Sequence, residues 1–269
     1  MARMKSATYQ EVLDLLLACG AVKTWSLIVT ILGDLAAEKG ARVSGPVITQ
    51  LTEPMGMKPE ALRVAIHRLK RDGWIVAERD GRQSLYGLTD HGRVLTLDAA
   101  ARIYGADVPA PETWHVVIAQ SSEALQALDF PDLLQIGTKA GLLPGGASNL
   151  PDSVLAWEAR PGRVPGWVKA VLVPEELSAS YAVLSRALDV ALGMEPPAET
   201  LPRAVLRLLA LHQWRRLVLR HSAAVDVLMG RDWAGAACRE RVAALLQRLE
   251  RPDVRHLAVL VQGGGQSAT

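Results

Sequence analysis

At 269 residues the chain has room for two or three small domains, each large enough for its own core. With 49% hydrophobic and 22% charged residues it has an ordinary helix-rich globular composition, and a net charge of only +2 excludes a protein that coats nucleic acid indiscriminately. Its two cysteines, Cys19 and Cys238, lie far apart and outside any Cys/His ligand pattern, so neither a zinc site nor an oxidising compartment is implied.

Tyr9 to Cys19 reads as a first amphipathic helix ended by Gly20. The apolar run from Leu13 to Val22 stops at Lys23, well short of the roughly 20 residues that span a bilayer. No signal-peptide pattern opens the chain, so a cytoplasmic location with no membrane partner is expected. Thr24 caps a second helix, Trp25 to Glu38, with Leu27, Ile31, Leu32 and Leu35 inward. Ser44-Gly45-Pro46 restarts the chain into a short helix that ends near Glu53, and the turn Pro54 to Pro59 follows.

The most informative stretch comes next. Pro59 suits a first helical turn and Gly73 a C-terminal stop, while Leu62, Ala65, Ile66 and Leu69 form one apolar stripe. The opposite side holds Glu60, Val64, His67, Arg68 and Arg71, with Arg63 and Lys70 on the flank. Trp74 to Arg79 and Arg82 to Leu88 then flank the hairpin dipeptide Asp80-Gly81. A helix buried on one side that feeds a hairpin with arginines at its tip is the layout of a winged helix–turn–helix. Its target is double-stranded DNA. The first turns of a recognition helix sit nearest the base edges, so Glu60, Arg63, Val64 and His67 are the candidates for reading bases. Arg68, Lys70, Arg71, Arg79 and Arg82 are placed to meet the backbone, although Arg68 can instead pair with Asp72 four residues on.

Thr89 to Gly92 caps one more helix, running towards Tyr104, and Gly105 to Thr113 has the composition of a boundary. Strands are expected at Trp114–Ala119, Leu133–Ile136, Ser153–Trp157 and Trp167–Val173, with a helix over Glu123–Leu128 and a loop over Gly141–Pro151. That mixture suggests a small α+β sandwich of ferredoxin-like type. From Pro174 the period is helical: Leu177–Leu192, Leu201–Leu219 and Cys238–Leu249. The expected organisation is therefore residues 1–104, 105–175 and 176–260, with 261–269 as a disordered tail.

No G-x-S-x-G elbow, His-Glu-x-x-His helix or Walker loop is present, so no enzyme, metal or cofactor is expected. His115 reads as a satisfied structural residue in its strand.

Leu32-Gly33-Asp34, Arg63-Val64-Ala65, Arg68-Leu69, Asp72-Gly73-Trp74, Gly81-Arg82 and Tyr86-Gly87-Leu88-Thr89 resemble the phenylacetic-acid-degradation repressor family, the PaaX-like transcriptional regulators. Further matches are Ile103-Tyr104-Gly105, Trp114, Trp214-Arg215-Arg216-Leu217 and Asp232-Trp233-Ala234-Gly235, where Ala234 replaces that family's proline. The resemblance implies a winged helix, a ferredoxin-like middle domain similar to the Cas2 nuclease fold, and a helical C-terminal domain. It also implies a homodimeric repressor of phenylacetate-type catabolic genes, released from its operator by an acyl-coenzyme A such as phenylacetyl-coenzyme A. On that basis Trp214, Arg215, Arg216, Arg220 and Trp233, with Arg231 nearby, are candidates for the effector's phosphates and adenine. The chain departs from the family at His221 to Asp226, which lacks the expected acidic residue and prolines after Arg220. The alternative reading is a metal-dependent nuclease or RNA-processing protein on the Cas2-like domain. Against it, Ala119-Gln120-Ser121 stand where such an enzyme would hold a metal-binding aspartate.

Overall fold

The computed structural model describes residues 7–81, 83–105, 110–160, 162–231 and 233–264. Among them it is a mixed α+β protein with two antiparallel sheets. Helix α1 (Tyr9–Ala18) opens with a reciprocal cap, in which Thr8 Oγ1 accepts from the Glu11 amide and the Glu11 carboxylate accepts from the Thr8 amide. Then follow α2 (Thr24–Leu35), β1 (Val43–Ser44), α3 (Gly45–Thr52) and, after a 3₁₀ turn at Glu53–Met55, α4 (Pro59–Arg71). Strands β2 (Ile75–Asp80) and β3 (Gln83–Leu88) form the hairpin, and β1 pairs with β3 to make a sheet of order β1-β3-β2. Asp80 pairs with Gln83, so the strand β2 runs through Asp80 and the turn begins one residue later than the sequence suggests.

Helix α5 (Asp90–Tyr104) starts at Thr89, whose hydroxyl accepts from the Gly92 amide and donates to the Gly73 carbonyl. A Cβ on Gly92 would lie 2.2 Å from the Trp74 carbonyl oxygen, so only glycine lets α5 pack this closely under the α4–β2 junction.

The second sheet contains β4 (Trp114–Ile118), β5 (Leu134–Gln135), β6 (Ala140–Pro144) and β7 (Leu155–Ala159), in the order β5-β6-β4-β7. Helix α6 (Ser122–Gln126) makes the β4–β5 crossover. Two expectations for this region are corrected. Gly141 to Pro144, bounded by helix and strand breakers, reads as loop but is the strand β6. Gly141 is tolerated because Leu133 crosses so closely that a Cβ there would meet its Cδ1 at 2.8 Å. Trp167 to Val173 forms helix α7 (Gly166–Leu172) rather than a strand, because a seven-residue apolar run fits either period and Pro165 at its start favours the helical entry. A second crossover helix, which a ferredoxin-like sheet would carry between β6 and β7, is absent; residues 145–154 are loop and α7 comes after β7.

Helices α8 (Glu175–Gly193), α9 (Thr200–Val218), α10 (Ala223–Met229), α11 (Ala234–Arg248) and α12 (Val254–Gly264) complete the chain. Helix α12 runs into the span expected as tail, with Leu257 fully buried; residues 265–269 lie outside the described residues. The main core takes side chains from both ends of the sequence, including Leu27 and Ile31 of α2, Leu206 and Leu209 of α9, and Val242 and Leu245 of α11. A small separate core of Val117, Ala119, Leu125 and Leu143 lies between the second sheet and α6. Helix α9 is buried nearly all round because it packs against α1, α2, α3 and α5 on one side and α8 and α11 on the other. The spans 1–104 and 176–260 therefore share one interior.

Candidate nucleic-acid interface

The turn between α3 and α4 closes where the Met57 amide donates to Thr52 and Lys58 leads into Pro59 at the first helical position. Leu62, Ala65 and Leu69 are buried, and α2 is the main neighbour of that face. The far end of α4 is closed by two backbone bonds, Gly73 to the Lys70 carbonyl at 3.1 Å and Trp74 to the Leu69 carbonyl at 2.9 Å. These constraints leave Glu60, Arg63, Val64, His67, Arg68, Lys70 and Arg71 exposed along α4.

The charges on this helix pair locally. Arg63 meets Glu60 at 3.0 Å with 75% and 71% of the two side chains exposed, and Arg68 and Arg71 share Asp72 at 3.4 and 3.1 Å. Exposed pairs of this kind contribute about 0–1 kcal/mol, so a stronger anion can displace them. Arg79 is exposed on β2, opposite Ser84. Glu78 is held by Arg42 from the segment before β1, which lowers its carboxyl pKa through that hydrogen bond. Arg82 lies outside the described residues. Sequence reasoning missed Trp25, which stands half out of α2 with the Arg68 guanidinium 5.7 Å from its ring centre. Its exposure depends on how α2 packs on α4, and no local pattern carries that.

The C-terminal arginine–tryptophan set has a different character. Trp214 is buried, donates from Nε1 to the Ile103 carbonyl at 2.9 Å and carries the Arg239 guanidinium 5.1 Å from its ring. Arg215 reaches Ser26 Oγ, and Arg216 donates to the Cys19 carbonyl at 2.8 Å. Trp233 is buried against Tyr181 and His221, while Arg220 is exposed. Four of the five thus serve contacts between helices, and the set does not converge on one open pocket. A cleft of about 530 Å³ beside α11 is lined by Asp226, Val227, Arg231, Arg239, Glu240 and Gln247, and shares with the expected residues only Arg231. Arg239 was missed; it binds Asp226 at 2.7 Å and the carbonyls of Arg102 and Gly105 at the end of α5. Asp232 lies outside the described residues. His115 Nδ1 bonds the Gly145 carbonyl at 2.8 Å.

Among the described residues no group of three His, Cys, Asp or Glu side chains is placed to hold a metal, and no helix is long and apolar enough to cross a membrane. Residues 23–92, which span α2 through the start of α5, match the family model described as PaaX-like protein. The transcriptional repressor PaaX of Escherichia coli strain K12 is 27% identical over 251 residues, covering 83% of this chain and 79% of that protein. An uncharacterized protein, Rv0674 from Mycobacterium tuberculosis, superposes with a TM-score of 0.49 at 19% identity, covering 90% of this chain and 100% of that one.

Proposed function

We propose that this chain is a transcriptional repressor whose first unit is a winged helix–turn–helix, with α4 as recognition helix and β2–β3 as wing. One observation carries the reading: the outward side of α4, with Glu60, Arg63, Val64, His67, Arg68, Lys70 and Arg71, is exposed. On this reading Arg63 grips a guanine edge and Val64 touches a thymine methyl, while Lys70, Arg71, Arg79 and Arg82 meet phosphates. The similarity to the E. coli repressor supports regulation of phenylacetate-type catabolic genes.

The middle unit reads as ferredoxin-like on its strand order, with one crossover helix replaced by loop. We assign the homodimer contact to this sheet, because Leu155 and Trp157 on its edge strand β7, with Ile118 in register beside Leu155, are exposed and apolar. An acyl-coenzyme A effector would find arginines in the cleft beside α11, where Arg239 also caps α5. Binding there would bias the link between the first and middle units.

Titration of labelled promoter DNA with the protein, with and without phenylacetyl-coenzyme A, tests the reading. Specific retention that the thioester reverses is the expected result. Absence of retention on any promoter fragment at low salt would remove the repressor assignment.

A further inference from the structure

Beside the outward side of α4 runs a groove of about 390 Å³ between that helix and the start of α2. Trp25, Ala61, Val64 and Ala65 give it apolar walls, and Glu60 and Arg68 stand on its rim. Trp25 of α2 is 36% and Val64 of α4 70% exposed, so two large apolar side chains stand beside the basic side of α4. The walls are fixed relative to each other, since Thr24 Oγ1 bonds Met57 Sδ at 3.3 Å across the groove's end. Arg68 is oriented twice, by the indole of Trp25 at 5.7 Å and by Asp72 at 3.4 Å. Glu60 is already neutralised by Arg63 at 3.0 Å.

Positions 61, 64, 65 and 68 form one strip on the flank of α4, bordering the side that carries Glu60, His67 and Arg71 and turned away from Arg63. When a helix lies in a major groove, such a flank runs along the sugar–phosphate strand bordering that groove. A deoxyribose offers an apolar face between two anionic phosphates. An apolar trough with an arginine on its rim matches that alternation in both shape and charge.

We propose that this groove seats one deoxyribose–phosphate segment of the operator, the sugar against Trp25 and the phosphate on Arg68. The inference rests on α4 being the recognition helix and assigns two roles beyond it. Trp25 becomes a DNA-contacting residue, and Arg68 exchanges Asp72 for a phosphate while remaining over the indole.

The test uses duplex DNA enriched from a random-sequence pool on the wild-type protein. Titrations with Trp25→Ala, Trp25→Phe, Arg68→Gln and Arg63→Ala are followed by DNA anisotropy and by tryptophan emission. Trp25→Ala is expected to bind about tenfold more weakly with an unchanged salt slope, since it removes apolar contact and no charge. Arg68→Gln is expected to lower the salt slope by about one ion. The emission change on DNA addition should be present in wild type and lost in Trp25→Phe, a variant that keeps an aromatic ring for folding. If Trp25→Phe keeps that change and Arg68→Gln keeps its slope while Arg63→Ala still weakens binding, the groove is not a contact and the recognition-helix reading stands. If no duplex is enriched, or Arg63→Ala binds as wild type does, the underlying reading fails as well.

Discussion

Helices α4 and α9 are both rich in arginine, yet they use it in opposite ways. On α4 the guanidinium groups of Arg63, Arg68 and Arg71 pair with carboxylates one to four residues away, in water. On α9 Arg207 forms a two-pronged bond with Asp34, 173 residues away, at 2.8 and 2.9 Å, and donates further to the carbonyls of Leu246 and Leu249. The Tyr104 hydroxyl adds a bond to Asp34 at 3.0 Å, and Arg251 reaches the Asp34 carbonyl. A local exposed pair costs little to open, so its arginine remains available to a ligand. A buried pair satisfied on all sides is committed to the fold. Arginine content alone does not locate a binding site; the sequence distance and burial of the partner decide.

The sharpest way to break this contrast is to remove one arginine from each helix. Arg207→Ala leaves the Asp34 carboxylate buried without its cation and is expected to cost about 3–5 kcal/mol in a denaturant titration. Arg63→Ala is expected to change stability by less than about 0.5 kcal/mol in the same titration. Equal losses would erase the distinction.

A second contrast concerns protons. His212 of α9 is buried, with Nδ1 3.2 Å from Thr30 Oγ1 and Nε2 without a partner among the described residues. Burial, reinforced by Arg215 and Arg216, lowers its pKa from 6.5 to about 4. The folded imidazole thus stays neutral while the unfolded one takes a proton. Its contribution is unaffected above about pH 6.5, falls by about 3 kcal/mol as pH drops towards 4, and is constant below that. Subtracting the pH–stability curve of His212→Asn from that of wild type should isolate this fall. Parallel curves would show that His212 does not titrate this way. His67→Asn on α4, at an exposed position, is expected to change stability by less than about 0.5 kcal/mol.

The next effects are on DNA alone. Arg63→Ala is expected to cost about 1–3 kcal/mol on the preferred duplex and to relax the base preference there. Lys70→Ala should weaken all duplexes alike and reduce the salt slope by about one. Should Lys70→Ala change sequence preference instead, the division of α4 into base-reading and phosphate positions is wrong.

Much of the first unit was legible in the sequence because its signals are local. The stripe Leu62, Ala65, Leu69 and the stops at Pro59 and Gly73 act within one helix, and the hairpin tip was misplaced by a single residue. The middle unit was less legible, since short apolar runs such as Trp167 to Val173 satisfy both periods and their partners decide. The two-residue strand β1 and helices α10 and α12 escaped because each is specified by what it packs against. The roles of Trp214, Arg215 and Arg216 were hidden for the same reason: their partners are Ile103, Ser26 and Cys19, more than 100 residues earlier.

The joint made by Asp34, Arg207 and the shared interior bears on how such a chain can be taken apart or inherited. Cutting after Gly105 would strip α9 from α2 and expose Leu27, Ile28 and Ile31 to water along with a lone carboxylate. The segment from α2 to α5 is therefore not a transferable cassette that can be grafted onto another protein. It travels with its distant helices as one unit.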